Sequence, residues 1–156
     1  MRNPAPAFAL AALLVASGAF AEESASAGTA RPEACREADA SVAKARELLA
    51  KKDGEAALEA IGAAKKACPE PTAEYFLVHG DVLVGLKRWN DAVMQYHEAL
   101  RLKPGYGEAA NALARVFYLS RRYEQAKVVL RKAEAAGAKV DTELRKAIEE
   151  KLARPN

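Results

Sequence analysis

The sequence has few of the residues from which catalytic sites are built. Its only histidines are His79 and His97, and it contains no HExxH, GxSxG or glycine-rich phosphate-binding motif. Cys35 and Cys68 are its only cysteines, and no CxxC or CxxCH pair exists, which disfavours thioredoxin-like redox chemistry and covalent haem attachment. No carboxylates cluster outside the ends of predicted helices. We therefore expect no enzymatic activity, no metal site and no cofactor.

A strong charge of either sign is also missing. The chain carries 24 Lys and Arg against 21 Asp and Glu, a formal net charge of +3. Its basic clusters do not exceed pairs such as Lys65-Lys66 and Arg121-Arg122, which are typical of solvated helix ends. Such a balance produces no field that would attract nucleic acid or an acidic lipid surface. We expect neither as a partner.

The N-terminus has the pattern of a secretory signal peptide. Arg2 is the only charge before Glu22, and an apolar run from 5 to 21 ends in Ala19-Phe20-Ala21. The alternative, an uncleaved anchor, is disfavoured because a span needs about 20 apolar residues. A lipoprotein is disfavoured because no cysteine stands at the cleavage point. We predict cleavage of residues 1–21 after Ala21, a periplasmic or secreted location, and no integral membrane span afterwards.

Removing residues 1–21 leaves 135 residues with a formal charge of +2, which indicates one domain. Export would place Cys35 and Cys68 where disulfides persist. From the residues alone, three possibilities stay open for these cysteines: a bridge, two free thiols, or half of a metal site.

The exported part reads as a flexible leader followed by helices. Residues 22–32 are small, polar and without periodicity. From residue 33 onwards apolar residues recur at three- and four-residue steps, and the two-residue alternation of strands is missing. Thr72, and Asp141 or Thr142, are predicted helix caps. The pattern predicts seven helices, with breaks at 52–54, 69–71, 87–89, 104–105, 120–122 and 137.

Two of these helix pairs repeat. Residues 73–106 align with residues 107–140 at a spacing of 34 without a gap. A period of this size indicates stacked helical hairpins, because one hairpin cannot bury its apolar face alone. The aligned pairs are Leu83 with Phe117, Trp89 with Tyr123, Ala92 with Ala126, and Ala99 with Ala133.

The same stretch carries the signature of a known family. Phe76, Gly80, Leu83, Trp89, Ala92, Tyr96, Ala99 and Pro104 stand at the spacings of the tetratricopeptide repeat, and the chain resembles that family. The resemblance implies an all-α, right-handed α-solenoid within residues 33–156. It comprises repeats at about 38–72, 73–106 and 107–140 and a capping helix at about 141–153. The first repeat is the weakest match, with Gly54 at the aromatic turn position and one extra residue before the second repeat.

The resemblance also assigns roles to residues within the repeats. Small residues at 80, 92 and 99 let helix backbones approach, and we expect Trp89 to be buried beside them, contributing about 2–3 kcal/mol. We expect His79 to be a half-buried, hydrogen-bonded core residue and His97 to be exposed. In such a hairpin Cys35 and Cys68 lie at the same end, and we predict that they are bridged.

Family members present a concave surface made by the first helices of successive repeats. The apolar residues among the equivalent positions form a stripe that would bind an extended or helical peptide. The alternative is that neighbouring repeats bury part of it. The positions are Val42, Arg46 and Leu49 in the first repeat, Leu77, Asp81 and Val84 in the second, and Asn111, Arg115 and Tyr118 in the third.

Some family members hold C-terminal carboxylates through Lys, Asn and Arg at five groove positions. Here Val42, Val78, Glu108 and Ala112 stand at four of them and Arg46 at the fifth, so clamping of a chaperone tail is not expected. The resemblance implies an interaction module that binds a protein or peptide segment in its groove, and the predicted signal peptide would place it in the cell envelope. The alternative is a self-associating structural scaffold. The partner and the oligomeric state are not encoded in any motif.

Overall fold

Seven helices make up the part of the chain that the structure, a computed structural model, describes. That part is residues 32–154, and it contains no strand. The predicted signal peptide and all of the leader but Pro32 lie outside the described residues. The predicted all-α class and the number of helices are confirmed. The helices are α1 Glu33–Ala50, α2 Gly54–Ala67, α3 Ala73–Gly85, α4 Trp89–Leu102, α5 Gly107–Leu119, α6 Tyr123–Ala135 and α7 Thr142–Ala153.

The helices form three hairpins followed by a single helix. The most extensive contacts join α1 to α2, α3 to α4, and α5 to α6, and each of these pairs is connected by only three residues, which makes the two helices antiparallel neighbours. The first helices also contact one another in the order α1, α3, α5, α7. The result is a solenoid in which each hairpin stacks on the next.

The turn inside each hairpin has the same backbone conformation. Lys52, Lys87 and Arg121 have φ angles of 62°, 61° and 58°, in the left-handed region that closes helix C-termini. In the second hairpin the Lys87 N–H donates to the Val84 carbonyl and the next N–H to the Leu83 carbonyl, and the other two turns repeat this pattern. Lys52 and Lys87 are 35 positions apart, whereas Lys87 and Arg121 are 34 apart. The difference agrees with the one extra residue between the first and second repeats.

Side chains cap three helices where polar residues precede them. The Thr72 hydroxyl accepts the N–H of Tyr75 at 3.2 Å, as predicted. Asp141, one of the two predicted candidates, caps α7 by accepting the N–H groups of Glu143 and Leu144. Asp53 accepts the N–H of Ala56 in the same way at the start of α2. These bonds satisfy donors that would otherwise lack a partner in the first turn.

Small residues stand where the helices cross. The alanines at equivalent positions of the three hairpins, Ala57, Ala92 and Ala126, are fully buried, so neighbouring backbones approach closely. Large side chains fill the space beside them. They include Ile61, Leu83, Tyr96, Leu113, Phe117 and Leu130.

The expectation that Trp89 is buried in the core is wrong. Trp89 is the first residue of α4 and remains 39% exposed. Because it stands at the turn, its ring lies at the edge of the hairpin, where no neighbouring helix covers it fully. Its burial is therefore partial, and it stabilises the fold less than a fully buried ring would.

A disulfide closes the first hairpin. Cys35, in the first turn of α1, is bonded to Cys68, which follows the last residue of α2, so the predicted bridge is present in the structure. Both cysteines are buried. A crosslink between residues 33 positions apart stabilises the folded chain by about 3.7 kcal/mol in the chain-entropy model. The hairpin with the weakest repeat signature is therefore the one that is crosslinked.

Two glycines within helices differ in what surrounds them, and this gives a matched test of the packing. A Cβ at Gly80 would lie 2.4 Å from Cε1 of Tyr96, whereas a Cβ at Gly62 would meet nothing within 4 Å. We expect Gly80→Ala to destabilise the protein by about 1–3 kcal/mol and Gly62→Ala to stabilise it by about 1 kcal/mol. Urea denaturation of both variants measures this, and equal stabilisation by both would contradict the packing described.

Candidate binding groove

The first helices of the hairpins border an open cavity, called the groove below. Its volume is about 530 Å³. α3 and α5 supply most of its lining, and α1 and α4 supply the rest. The lining residues are Arg46, Leu77, Asp81, Val84, Trp89, Tyr96, Glu108, Asn111, Ala112, Arg115, Val116 and Leu119.

The structure brings six of the nine predicted groove positions together. Leu77 is one of them, but only 4% of it is exposed, so it forms the floor of the groove and cannot project into a partner. Arg46 and Arg115 are exposed, and Asp81, Val84 and Asn111 are half-buried. The six are Arg46, Leu77, Asp81, Val84, Asn111 and Arg115.

Three predicted positions do not line the groove. Val42 is 4% exposed and belongs to the core of the first hairpin. Leu49 lies over α3, with its Cδ1 3.0 Å from where a Cβ of Gly85 would stand. The ring of Tyr118 packs on that of Tyr123, with the centroids 5.5 Å apart. The predicted apolar stripe is therefore not open along its whole length, because neighbouring helices cover part of it.

Sequence reasoning missed the exposed apolar part of the groove. Trp89 is 39% exposed and Leu119 is 63% exposed, and both line the groove beside Val84. They stand at the start of α4 and the end of α5, outside the first-helix positions used for the prediction. Leu119 occupies no core position of the repeat. An apolar residue without a core role is the sequence signal that could have identified it as part of the groove.

A hydrogen bond in the groove joins the core to its surface. The Tyr96 hydroxyl donates to Oδ1 of Asp81 at 2.7 Å. Burial raises the pKa of Asp81 above its ordinary value, and Glu108 adds to the rise, while the Tyr96 hydrogen bond and Arg46 oppose it. Burial, together with Asp81, also raises the pKa of Tyr96. The raised pKa of Tyr96 keeps its phenol protonated, so the hydroxyl is the donor in this bond.

Both arginines of the groove are held by carboxylates outside its lining. Arg46 pairs with Glu74 at 3.1 Å, and Arg115 pairs with Asp141 at 3.2 Å. The N–H of Asp141 in turn donates to Oδ1 of Asn111 at 2.9 Å. Asp141, which stands just before α7, therefore positions the side chains of Arg115 and Asn111 on α5.

The histidines lie away from the groove. His79 is half-buried and its ring contacts that of Tyr75 at 5.7 Å. Burial lowers its pKa, which a hydrogen bond with Gln95 partly opposes. The expectation that it is fully hydrogen-bonded is wrong for Nδ1, which is buried without a partner among the described residues. His97 is exposed, as predicted.

A second cavity of about 530 Å³ lies between α4 and α6. His97 and Arg122 border it, with the Arg122 guanidinium 4.5 Å from the ring centroid of Phe117. Val128, 46% exposed, contributes an apolar wall. No predicted groove residue lines this cavity, so the two surfaces are distinct.

No three His, Cys, Asp or Glu side chains within residues 32–154 are grouped so that they could bind a metal ion. None of the seven helices combines the length and the apolarity needed to cross a bilayer.

The raised pKa of Asp81 makes a testable contribution to stability. In the pH range between the unfolded and the folded pKa, the folded protein holds a proton that the unfolded chain has released, so lowering the pH favours folding through this group. Asp81→Asn removes the titration but keeps an acceptor for Tyr96. We expect the stability of the wild type, relative to Asp81→Asn, to rise in urea denaturation as the pH is lowered towards the ordinary pKa of an aspartate. Parallel pH profiles would show that Asp81 does not titrate in this way.

Comparison with known proteins agrees with the fold. Residues 83–150 match the sequence model of the tetratricopeptide repeat family. The chain is similar to a solved structure, the TPR2AB domain–pHSP90 complex of yeast Sti1, with a TM-score of 0.60 and 22% identity over 76% of this chain and 45% of that chain. The chain thus spans less than half the length of that relative. None of the curated proteins matches it. The signature residues, the stacked hairpins and the match of residues 83–150 together support a tetratricopeptide repeat fold.

Proposed function

We propose that this protein is a non-enzymatic interaction module that binds a protein or peptide segment in the groove. The observation that carries the proposal is an open cavity whose lining includes two exposed apolar side chains, Trp89 and Leu119. Aromatic and apolar side chains left exposed together in a concave site are typical of binding surfaces. Stacked helical repeats use such concave surfaces to bind partners.

The size of the groove favours a segment over a whole domain surface as the part that enters it. A volume of about 530 Å³ is in the range of sites that enclose a drug-sized molecule, which corresponds to a few residues of peptide. The similar Sti1 domain was solved as a complex with pHSP90, which supports a peptide as ligand class. The carboxylate-binding set expected for a chaperone tail is not present at the corresponding positions here, so we do not propose that ligand.

The residues around the groove are organised for rigidity. Asp81 is held by Tyr96, and Arg46 and Arg115 are each held by an ion pair. A site whose side chains are already held in place loses less conformational entropy when a partner binds. This arrangement supports recognition of one kind of segment by preformed contacts.

The binding test compares two exposed apolar residues on different surfaces. A photocrosslinker at Leu119 identifies the partner segment, which is then synthesised. We expect Leu119→Glu to weaken its binding by about tenfold or more, because a central apolar contact is worth more than about 1.4 kcal/mol. The control Val128→Glu, in the second cavity, should change binding less than about twofold. Fluorescence anisotropy gives both values, and an equal loss in both variants would contradict binding in the groove.

We also propose that the protein acts in the cell envelope or outside the cell. The apolar N-terminal run and the disulfide between Cys35 and Cys68 support this location, since disulfides persist in oxidising compartments. Intact mass spectrometry of the protein recovered from the producing cells, without reductant, should give a chain that begins at Glu22 and lacks free thiols. A full-length, reduced chain found only in the cytoplasm would contradict the location.

A further inference from the structure

The charges of the groove are unequally compensated. The guanidinium groups of Arg46 and Arg115 each pair with a carboxylate that does not line the cavity, Glu74 and Asp141 respectively. Much of their positive charge is therefore neutralised before any partner arrives. A partner carboxylate would have to compete with these two pairs.

The groove carboxylates lack such compensation. Within residues 32–154, neither Asp81 nor Glu108 forms an ion pair, although both line the cavity. The one hydrogen bond to Asp81 comes from the Tyr96 hydroxyl, a neutral donor that orients the carboxylate without cancelling its charge. The lining itself carries two guanidinium groups and two carboxylates, and the guanidinium groups already pair with carboxylates outside it. The charges of the lining that remain without an ion pair are therefore both negative.

The pKa of a neighbouring tyrosine is affected by the same carboxylates. Tyr106 stands immediately before α5, and its pKa is raised first by burial and then by Glu108, Glu74 and Asp81, with Arg46 opposing. Three carboxylates from α3 and α5 thus act on one phenol, and the Lys103 ammonium also lies 4.5 Å from its ring centroid.

The other part of the groove is apolar. Trp89 and Leu119 are exposed there beside Val84. An indole ring can bind a cation over its face. It can also pack against the aliphatic part of a long basic side chain. The site therefore offers an apolar contact towards one end of α5 and carboxylates towards the other, and a segment with both an apolar and a long basic side chain complements them.

We infer that the segment bound in the groove carries both a Lys or Arg side chain and an apolar side chain. The basic group pairs with Asp81 and Glu108, and the apolar group contacts Trp89 and Leu119. This inference rests on the proposed function of the groove and specifies its partner class. An acidic segment or a free C-terminal carboxylate is excluded by repulsion between like charges.

The test uses three pools of synthetic octapeptides with both ends blocked. The pools share the same randomised apolar positions and contain Lys, Gln or Glu at the remaining ones. We expect the Lys pool to bind best and to bind more weakly as salt is added. The double variant Asp81→Asn/Glu108→Gln should reduce its binding by about tenfold or more. Asn retains the acceptor for Tyr96, so the fold is preserved.

The matched control removes two exposed carboxylates elsewhere. Glu149 and Glu150 lie exposed on α7 and outside the groove lining, and Glu149→Gln/Glu150→Gln causes the same change in net charge. We expect binding of the Lys pool to change less than about twofold in this variant. An equal loss in both double variants would show a general charge effect and overturn the inference.

Two further outcomes separate this inference from the proposed function. If the Gln or Glu pool binds as tightly as the Lys pool and Leu119→Glu abolishes that binding, the groove binds peptides but the basic partner is wrong. If no pool binds, or if the binding of no pool responds to Leu119→Glu, both the inference and the groove function are overturned.

Discussion

The ring of Tyr96 lies in the space left by the missing side chain of Gly80, where α4 crosses α3. A Cβ at position 80 would stand 2.4 Å from the ring, so this approach exists only because the residue is glycine. The same ring directs its hydroxyl to Asp81 at 2.7 Å. One close contact between two helices therefore sets the packing of the central hairpin and the orientation of a carboxylate in the groove.

The repetition of the hairpin turns carries this geometry along the chain. Lys52, Lys87 and Arg121 adopt the same left-handed conformation, so the three turns reverse the chain in the same way. Regular hairpins stack with their first helices adjacent, and the groove follows from that adjacency. The disulfide at Cys35 and Cys68 and the Asp141 contacts to α5 hold the two ends of the stack.

The groove combines charged and exposed apolar side chains, which together are typical of a recognition site. Its arginines are paired with carboxylates from outside the lining, its own carboxylates are not, and an indole and a leucine are exposed in the same lining. A cavity with this chemistry discriminates by charge as well as by shape, because a partner of the wrong sign meets uncompensated carboxylates. The proposed function and its partner class both derive from this asymmetry.

The sequence by itself determined the helices, their caps and their order in hairpins. These depend on local periodicity, on residues such as Thr72 and Pro104, and on a 34-residue repeat that is visible without coordinates. Six of the nine groove positions also line the groove, because they lie on one face of each first helix. The cleavage of residues 1–21 and the periplasmic or secreted location of the protein remain predictions.

Only the tertiary structure decided which of those positions stay open. Val42 and Leu77 have the same pattern as exposed groove residues, yet both are 4% exposed, because the distance between stacked hairpins determines how far each side chain is covered. Trp89 was expected in the core and lies at the groove for the same reason. The ion pairs of Arg46 and Arg115 join residues 28 and 26 positions apart. Spacing alone could not identify them, since long side chains choose partners by proximity after the helices have packed.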